Sequence, residues 1–106
     1  MEQRRYERKT FHLKAELIAG KVNYACFIEN LSEYGVYVEI EPSNAPVEFY
    51  PDTQVELKLQ LSTGETLNLH GVVRWSRTIG MQNISYVGIE ILKPPPEYRD
   101  FLKTLK

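Results

Sequence analysis

The chain has 106 residues, a formal net charge of -1, a hydrophobic fraction of 42% and a charged fraction of 25%. This length suits a single domain, and this composition is typical of a folded globule rather than a disordered segment. The nearly balanced charge argues against a surface coated with basic groups for DNA or RNA.

Cysteine and histidine content argues against a metal centre. The single cysteine, Cys26, excludes an internal disulfide, and the two histidines lie too far apart in the sequence to suggest a zinc cluster with it. No apolar run approaches the roughly 20 residues of a membrane-spanning helix. Because the N-terminus is charged rather than built as a signal peptide, we expect a cytoplasmic protein that is not inserted in a membrane.

The first nine residues form a basic arm. They carry four basic side chains against two acidic ones: Arg4, Arg5, Arg8 and Lys9 against Glu2 and Glu7. We expect residues 1–9 to be mobile in the free protein, because only Tyr6 could anchor them to a core.

After the arm, hydrophobic and polar residues alternate with a period of two, which predicts half-buried β-strands. Gly88, inside the last of these strands, indicates a bulge or a close backbone approach. A proline-rich loop follows the third strand, and a second loop is predicted over 76–83. The predicted strands are 11–17, 22–28, 35–40, 55–61, 67–75 and 84–92.

A short helix is predicted over 97–105, after three consecutive prolines. Its apolar residues recur at intervals of three and four, as on one face of a helix: Tyr98, Phe101, Leu102 and Leu105. Six or seven short strands joined mainly by tight turns suggest an antiparallel barrel over 10–92. We expect the helix to lie across an open end of that barrel, within a single domain spanning 1–106.

The arm contains an RxxxR pattern formed by Arg4 and Arg8. On an extended arm these two side chains lie on the same side, roughly 13 Å apart, and Arg5 faces the other way. Guanidinium groups pair with phosphate oxygens, bind the O6/N7 edge of guanine and stack on aromatic faces. A ligand with two guanines and two phosphates could use all three modes, although a basic tail alone is more often solvated charge.

A second motif, Asn30-x-Ser32-x-x-Gly35, lies between the second and third strands. Asn30 and Ser32 offer donors and acceptors for the polar edge of a base or for ribose. Gly35 permits either a positive φ or an approach to the backbone that is too close for a Cβ. Such a triplet alone is more often a turn that satisfies its own backbone, but the two motifs together, in this order around predicted strands, are uncommon.

With both motifs complete, the chain resembles the PilZ family. Later segments also look like the family's strands, namely 71–75 and 86–91. The resemblance implies a six-stranded antiparallel β-barrel with a short C-terminal helix, which binds cyclic di-GMP as its ligand and needs no other cofactor. It implies that Arg4, Arg5, Arg8, Asn30, Ser32 and Gly35 bind this ligand, with the arm folding over it.

Two positions bear on how the ligand would bind. The family often has Asp where this chain has Asn30, so one acceptor charge toward guanine is missing. Gln3 stands where some members carry another arginine, a position linked to binding one or two ligand molecules, and the stoichiometry stays open.

Trp75 is a further candidate at the predicted rim, together with Arg74 and Arg77. Because Trp75 alternates onto the face of Val73, a role in the core or as a barrel plug is favoured over stacking on ligand. We retain Trp75 as a secondary ligand-binding candidate.

The functional prediction is a bacterial cyclic di-GMP effector, not an enzyme, which signals to an unidentified protein partner. Family members commonly act as sensors for motility, adhesion or polysaccharide export. The alternative is an interaction adaptor of the same fold with little or no nucleotide affinity. A nucleic-acid-binding barrel of the OB type is disfavoured, since the strands carry as many acids as bases.

Overall fold

The computed structural model describes residues 9–40, 49–61, 63–79 and 84–105, which form six strands and one helix. All strand pairs are antiparallel, and their order around the closed barrel is β1-β2-β3-β6-β5-β4. The elements are β1 (Lys9–Ala19), β2 (Val22–Leu31), β3 (Gly35–Ile40), β4 (Gln54–Gln60), β5 (Thr66–Ile79), β6 (Ile84–Ile91) and α1 (Pro96–Lys103). The predicted six-stranded barrel with a C-terminal helix is confirmed.

Alternation of side chains explains most of these strands. In β4, Val55, Leu57 and Leu59 are buried in the barrel, while Glu56 and Lys58 between them are partly exposed. Successive side chains of a strand point to opposite faces of the sheet, so an alternating sequence fills the interior and solvates the outside. Closure of the barrel leaves no unpaired sheet edge, because β1 pairs with both β2 and β4.

The barrel interior forms one hydrophobic core, to which every strand contributes at least one buried side chain. Tyr98 of α1 is fully buried in this core, and Phe101, Leu102 and Leu105 pack against it. The predicted apolar stripe of the helix therefore packs on the barrel. The buried hydrophobic residues of the described strands are Leu17, Cys26, Ile28, Leu31, Val36, Val38, Ile40, Val55, Leu57, Leu59, Leu67, Leu69, Val73, Val87, Ile89 and Ile91.

The register of β1 shifts between Thr10 and Leu13. Two further β-bulges, one in β2 and one in β5, change which side chains face outward. In β2, Ile28 pairs with Val38 of β3, but the next pair joins Asn30 to Tyr37, so Glu29 is an extra residue. An extra residue shifts the strand by one position, which changes the face on which the following side chains lie.

The second bulge corrects the predicted position of Trp75. Val73 pairs with Ile89 and Trp75 pairs with Gly88, so Arg74 is the extra residue of β5. Val73 is fully buried, whereas Trp75 is 42% exposed on the outer wall. The prediction that Trp75 shares the face of Val73 is therefore wrong, and Trp75 is neither a core residue nor a plug.

The predicted loop over 76–83 is also shorter than expected. β5 continues to Ile79 and pairs with β6 from Ser76↔Val87 to Ile79↔Ile84. After the bulge, Ser76, Arg77 and Thr78 are polar and exposed. This part of the sequence therefore lacks the alternation of hydrophobic and polar residues by which a strand is predicted.

We predict that Gly71→Ala destabilises the barrel. A Cβ at Gly71 would lie 2.6 Å from the carbonyl oxygen of Glu90 and 2.6 Å from Cγ2 of Ile89. Overpacking of this kind costs about 1–3 kcal/mol. The free energy of unfolding in urea measures the loss. Gly35→Ala is the matched control, because its Cβ would meet nothing closer than 3.5 Å; equal stability of the two variants would contradict the prediction.

Candidate functional site

One row of residues crosses four adjacent strands on the outer wall of the barrel. Asn30 of β2 pairs with Tyr37 of β3, Tyr37 pairs with Gly88 of β6, and Gly88 pairs with Trp75 of β5. Paired residues on neighbouring strands lie on the same face of a sheet. The two bulges thus bring Asn30 and Trp75 into one row, outside the core.

This row forms the floor of a groove with a volume of about 660 Å³. Pockets that hold small ligands commonly measure about 300–1,000 Å³. The groove is lined on the side of β2 and β3 by Asn30, Ser32, Tyr34, Gly35, Val36 and Tyr37, and on the side of β5 and β6 by Arg74, Trp75, Ser76, Arg77, Gly88, Ile89 and Glu90.

Three aromatic rings, Tyr37, Trp75 and Tyr86, form an aromatic platform, and two of them, Tyr37 and Trp75, line the groove. The centroid of Tyr37 lies 5.2 Å from that of Trp75 and 5.7 Å from that of Tyr86. The guanidinium carbon of Arg77 lies 5.9 Å from the Trp75 ring and 6.0 Å from the Tyr86 ring, which is cation–π distance. The platform therefore combines flat apolar surface with a positive charge.

Gly88 allows the Trp75 ring to lie flat against β6. A Cβ at Gly88 would overlap Nε1 and Cε2 of that ring. The close approach that the sequence predicted at Gly88 is confirmed, and the group that approaches is the indole of Trp75.

Arg74, the extra residue of the bulge in β5, is held by two carboxylates. Its Nε donates to Oε1 of Glu90 at 2.6 Å, its NH2 group also contacts Glu90, and its NH1 group lies 3.1 Å from Oδ1 of Asp52. The positive charge of Arg74 is thus largely compensated within the protein. Two arginines line the groove within the described part of the chain, and of these Arg77 faces the rings while Arg74 faces carboxylates.

Residues 32–34 form the turn between β2 and β3. The backbone N–H of Ser32 donates to the carbonyl oxygen of Gly35 at 2.8 Å, and the Ser32 hydroxyl contacts the same oxygen at 3.3 Å. These bonds close the turn and keep Ser32 beside Gly35 at the groove.

Residues of β6 and α1 form hydrogen bonds and an ion pair with the same turn. The Tyr98 hydroxyl donates to the carbonyl oxygen of Ser32 at 2.6 Å, and Nε of Arg99 lies 3.0 Å from Oε2 of Glu33. Burial, with a smaller contribution from the Glu33 carboxylate, raises the pKa of Tyr98. The hydroxyl therefore stays protonated and remains a hydrogen-bond donor. The backbone N–H of Ile91 completes the set with a bond of 2.9 Å to the Tyr34 carbonyl.

The structure brings together part of the predicted site. Asn30, Ser32 and Gly35 line one groove, and Trp75 lines its opposite side. The predicted ligands Arg4, Arg5 and Arg8 lie outside the described residues. The residues that follow the arm pair with the motif strand: Lys9 with Leu31 and Thr10 with Asn30.

Sequence reasoning missed Tyr37 and Glu90, which also line the groove. Tyr37 lies between Val36 and Val38, which are both buried, so its own position faces outward. An outward aromatic residue two positions after Gly35 was the signal that could have found it. Nothing in the sequence pairs Glu90 with Arg74, because they lie on different strands.

Two other kinds of site are not seen in the described parts of the chain. Those residues contain no group of three or more His, Cys, Asp or Glu side chains that could hold a metal ion. Among them, no helix combines the length and apolar character needed to cross a membrane.

The fold is thus a closed six-stranded antiparallel barrel with a groove at the β2–β3 turn. The model of the PilZ domain family matches residues 2–105. The chain therefore belongs to the PilZ domain family, and the resemblance seen in the sequence is confirmed. No match to the chain was found among curated proteins.

Solved structures share the fold at low sequence identity. The Bacillus subtilis inhibitor of motility MotI/DgrA matches with a TM-score of 0.76 and 15% identity over 99% of this chain. The PilZ domain of Escherichia coli YcgR, solved with c-di-GMP, gives 0.72 and 13%, covering 98% of this chain and 89% of that one. The K. pneumonia MrkH–c-di-GMP complex gives 0.70 and 17% over 99% of this chain. This chain spans about half of the MotI and MrkH chains, 50% and 52%.

We predict that Gly88→Ala displaces the Trp75 ring without unfolding the barrel. The overlapping atoms belong to an indole that is 42% exposed and can swing outward into water. Since Trp75 is the only tryptophan of the chain, its fluorescence emission should shift to longer wavelength. Gly35→Ala, in the same groove but away from the ring, should leave the emission unchanged. An unshifted Gly88→Ala spectrum would show that the ring does not rest on Gly88.

Proposed function

We propose that the chain binds cyclic di-GMP in the groove and passes the signal to a protein partner, without catalysing a reaction. The observation that carries the proposal is the meeting of Asn30, Ser32 and Gly35 with the aromatic platform in one groove of a PilZ domain. The structures of the YcgR PilZ domain and of MrkH, both with c-di-GMP, support this choice of ligand.

The groove chemistry suits a guanine dinucleotide. The rings of Tyr37 and Trp75 offer faces on which a base can stack, and stacking is a main source of affinity for nucleotides held outside a duplex. Asn30 supplies an amide oxygen and an amide nitrogen for the polar edge of a base or for ribose. At Gly35 the absent side chain leaves room for the ligand beside the Ser32 hydroxyl.

Charge explains why the arm is needed. Cyclic di-GMP carries two phosphates, but the guanidinium of Arg74 is already paired with Glu90 and Asp52. The described part of the groove therefore has little uncompensated positive charge beyond Arg77. Arg4, Arg5 and Arg8 would supply it, since guanidinium groups pair bidentately with phosphate and with the guanine O6/N7 edge.

The arm is within reach of the groove. Lys9 pairs with Leu31, immediately after Asn30, and Arg8 is the residue before Lys9. The five Cα-to-Cα steps from Arg4 to Lys9 can span about 17 Å when the chain is extended. We propose that ligand binding orders the arm over the groove and changes the surface that a partner contacts.

The second candidate is an adaptor of the same fold that binds a protein without nucleotide. Its support is the exposed aromatic surface of the groove, where Tyr34 is 50% and Trp75 42% exposed. A titration with cyclic di-GMP, with GTP as control, separates the two functions. The adaptor would give no heat of binding and no nucleotide-induced amide shifts in the arm.

We expect Arg4→Ala to weaken cyclic di-GMP binding by about 1–3 kcal/mol, which is roughly five- to hundred-fold, because one bidentate guanine contact is lost. The double variant Arg4→Ala/Arg8→Ala should bind more weakly still. Isothermal titration calorimetry measures both dissociation constants.

The matched control removes two positive charges from the other side of the barrel. Lys14 and Lys58 lie on β1 and β4, across the barrel from β3 and β6. Lys14→Ala/Lys58→Ala should bind nearly as the unchanged protein does. Binding of full strength by the double arginine variant would refute the role of the arm.

Trp75→Ala should also weaken binding, because it removes one face of the aromatic platform. Base–aromatic stacking is worth about 1–3 kcal/mol per base, again roughly five- to hundred-fold in the dissociation constant. Tyr50→Ala is the control, since Tyr50 is 69% exposed and does not line the groove. If the two variants bind equally well, Trp75 does not contact the ligand.

A further inference from the structure

The turn at residues 32–34 is bonded at every residue by the C-terminal part of the chain. Three successive bonds join the two segments: Tyr98 to Ser32, Arg99 to Glu33 and Ile91 to Tyr34. Two of them come from α1. Side chains of α1 thus contact the turn that carries Ser32 of the ligand motif.

These bonds differ in strength. The Tyr98 side chain is fully buried and its hydroxyl bond to the Ser32 carbonyl is 2.6 Å long. Loss of a bond at such a buried position leaves an unpaired polar group, which is costly. The Arg99–Glu33 pair is half exposed, with side-chain exposures of 51% and 38%, so solvent screens it. Tyr98 is therefore the main connection between α1 and the turn.

The Ser32 backbone lies between helix and ligand site. Its carbonyl oxygen accepts from Tyr98, while its N–H and hydroxyl face the carbonyl of Gly35. Both Ser32 and Gly35 line the groove. A shift of the peptide that Tyr98 holds would move the Ser32 side chain relative to Asn30.

We propose that Tyr98 is a positioning residue for the ligand site, and that ligand binding and docking of α1 stabilise each other through it. This inference rests on the proposed function. If the hydroxyl bond keeps residues 32–34 in the conformation that binds, losing it lowers the population of that conformation, and apparent affinity falls by the same factor. Linkage then requires the bound ligand to strengthen the docking of α1 by an equal factor.

The test is Tyr98→Phe, which keeps the buried ring and removes only the hydroxyl. We expect cyclic di-GMP to bind about two- to tenfold more weakly, the range set by the net worth of one hydrogen bond. Thr104→Val is the matched control. The Thr104 hydroxyl also donates to a backbone carbonyl at 2.6 Å, but that carbonyl belongs to Phe101 of α1 itself. Affinity of Thr104→Val should equal that of the unchanged protein.

Hydrogen–deuterium exchange of α1 provides a second readout, because its response to ligand would not depend on Tyr98 if this residue only stabilised the fold. Addition of cyclic di-GMP should slow exchange of the backbone amides of α1 in the unchanged protein, and should slow them less in Tyr98→Phe. If Tyr98→Phe does not fold, Arg99→Ala replaces it, with the same direction and a smaller effect, because only the exposed ion pair is removed.

The outcomes separate this inference from the proposed function. Absence of binding by the unchanged protein overturns the proposed function. Binding by it and by Tyr98→Phe with equal affinity overturns only the coupling, as does equal weakening in Thr104→Val, which would trace the effect to helix stability. An α1 whose amide exchange does not respond to cyclic di-GMP also overturns the coupling.

Discussion

Two bulge residues of the barrel wall, Glu29 in β2 and Arg74 in β5, determine which side chains line the groove. Without the first bulge, Asn30 would follow Ile28 into the core. Without the second, Trp75 would follow Val73. Burial of Asn30 without partners would be costly, and an interior filled by Trp75 would have no room for its present core. Each bulge interrupts the regular pairing of two strands and places one candidate ligand-binding side chain on the outer wall.

Gly88 leaves the space in which the Trp75 ring can lie beside Tyr37. It stands between Tyr37 and Trp75 in the row that crosses β3, β6 and β5. Any larger residue there would lift the indole from the wall and separate it from the ring of Tyr37, which is now 5.2 Å away. The absence of one side chain therefore creates a continuous aromatic surface, beside the amide of Asn30, without moving the backbone of the barrel.

The sequence predicted those features that depend on regular periodicity or on a motif. The alternation in β4 and the spacing of Tyr98, Phe101, Leu102 and Leu105 were sufficient, because each pattern repeats over its whole element. Trp75 was assigned to the wrong face, because one extra residue inverts the alternation of faces and no residue type in this segment indicates a bulge. The role of Glu90 depends on its contact with Arg74 on another strand. Predicting that contact requires the register between β5 and β6, which the local sequence does not contain.

The turn at residues 32–34 is where both ends of the chain meet the candidate site. On one side, Thr10 pairs with Asn30, so the chain leading from the arm runs along the motif strand. On the other side, the Tyr98 hydroxyl holds the Ser32 carbonyl. A ligand bound between Asn30 and Trp75 would contact the strands β5 and β6 on one side of the groove. On the other side it would contact the turn at residues 32–34, which is bonded to Tyr98 and follows the strand that pairs with β1. A change in the conformation of the turn on ligand binding would therefore affect the arm and α1, because the closely packed barrel between them resists deformation. The barrel would in this way report ligand at two surfaces, the arm and α1, and a partner need only contact one of them.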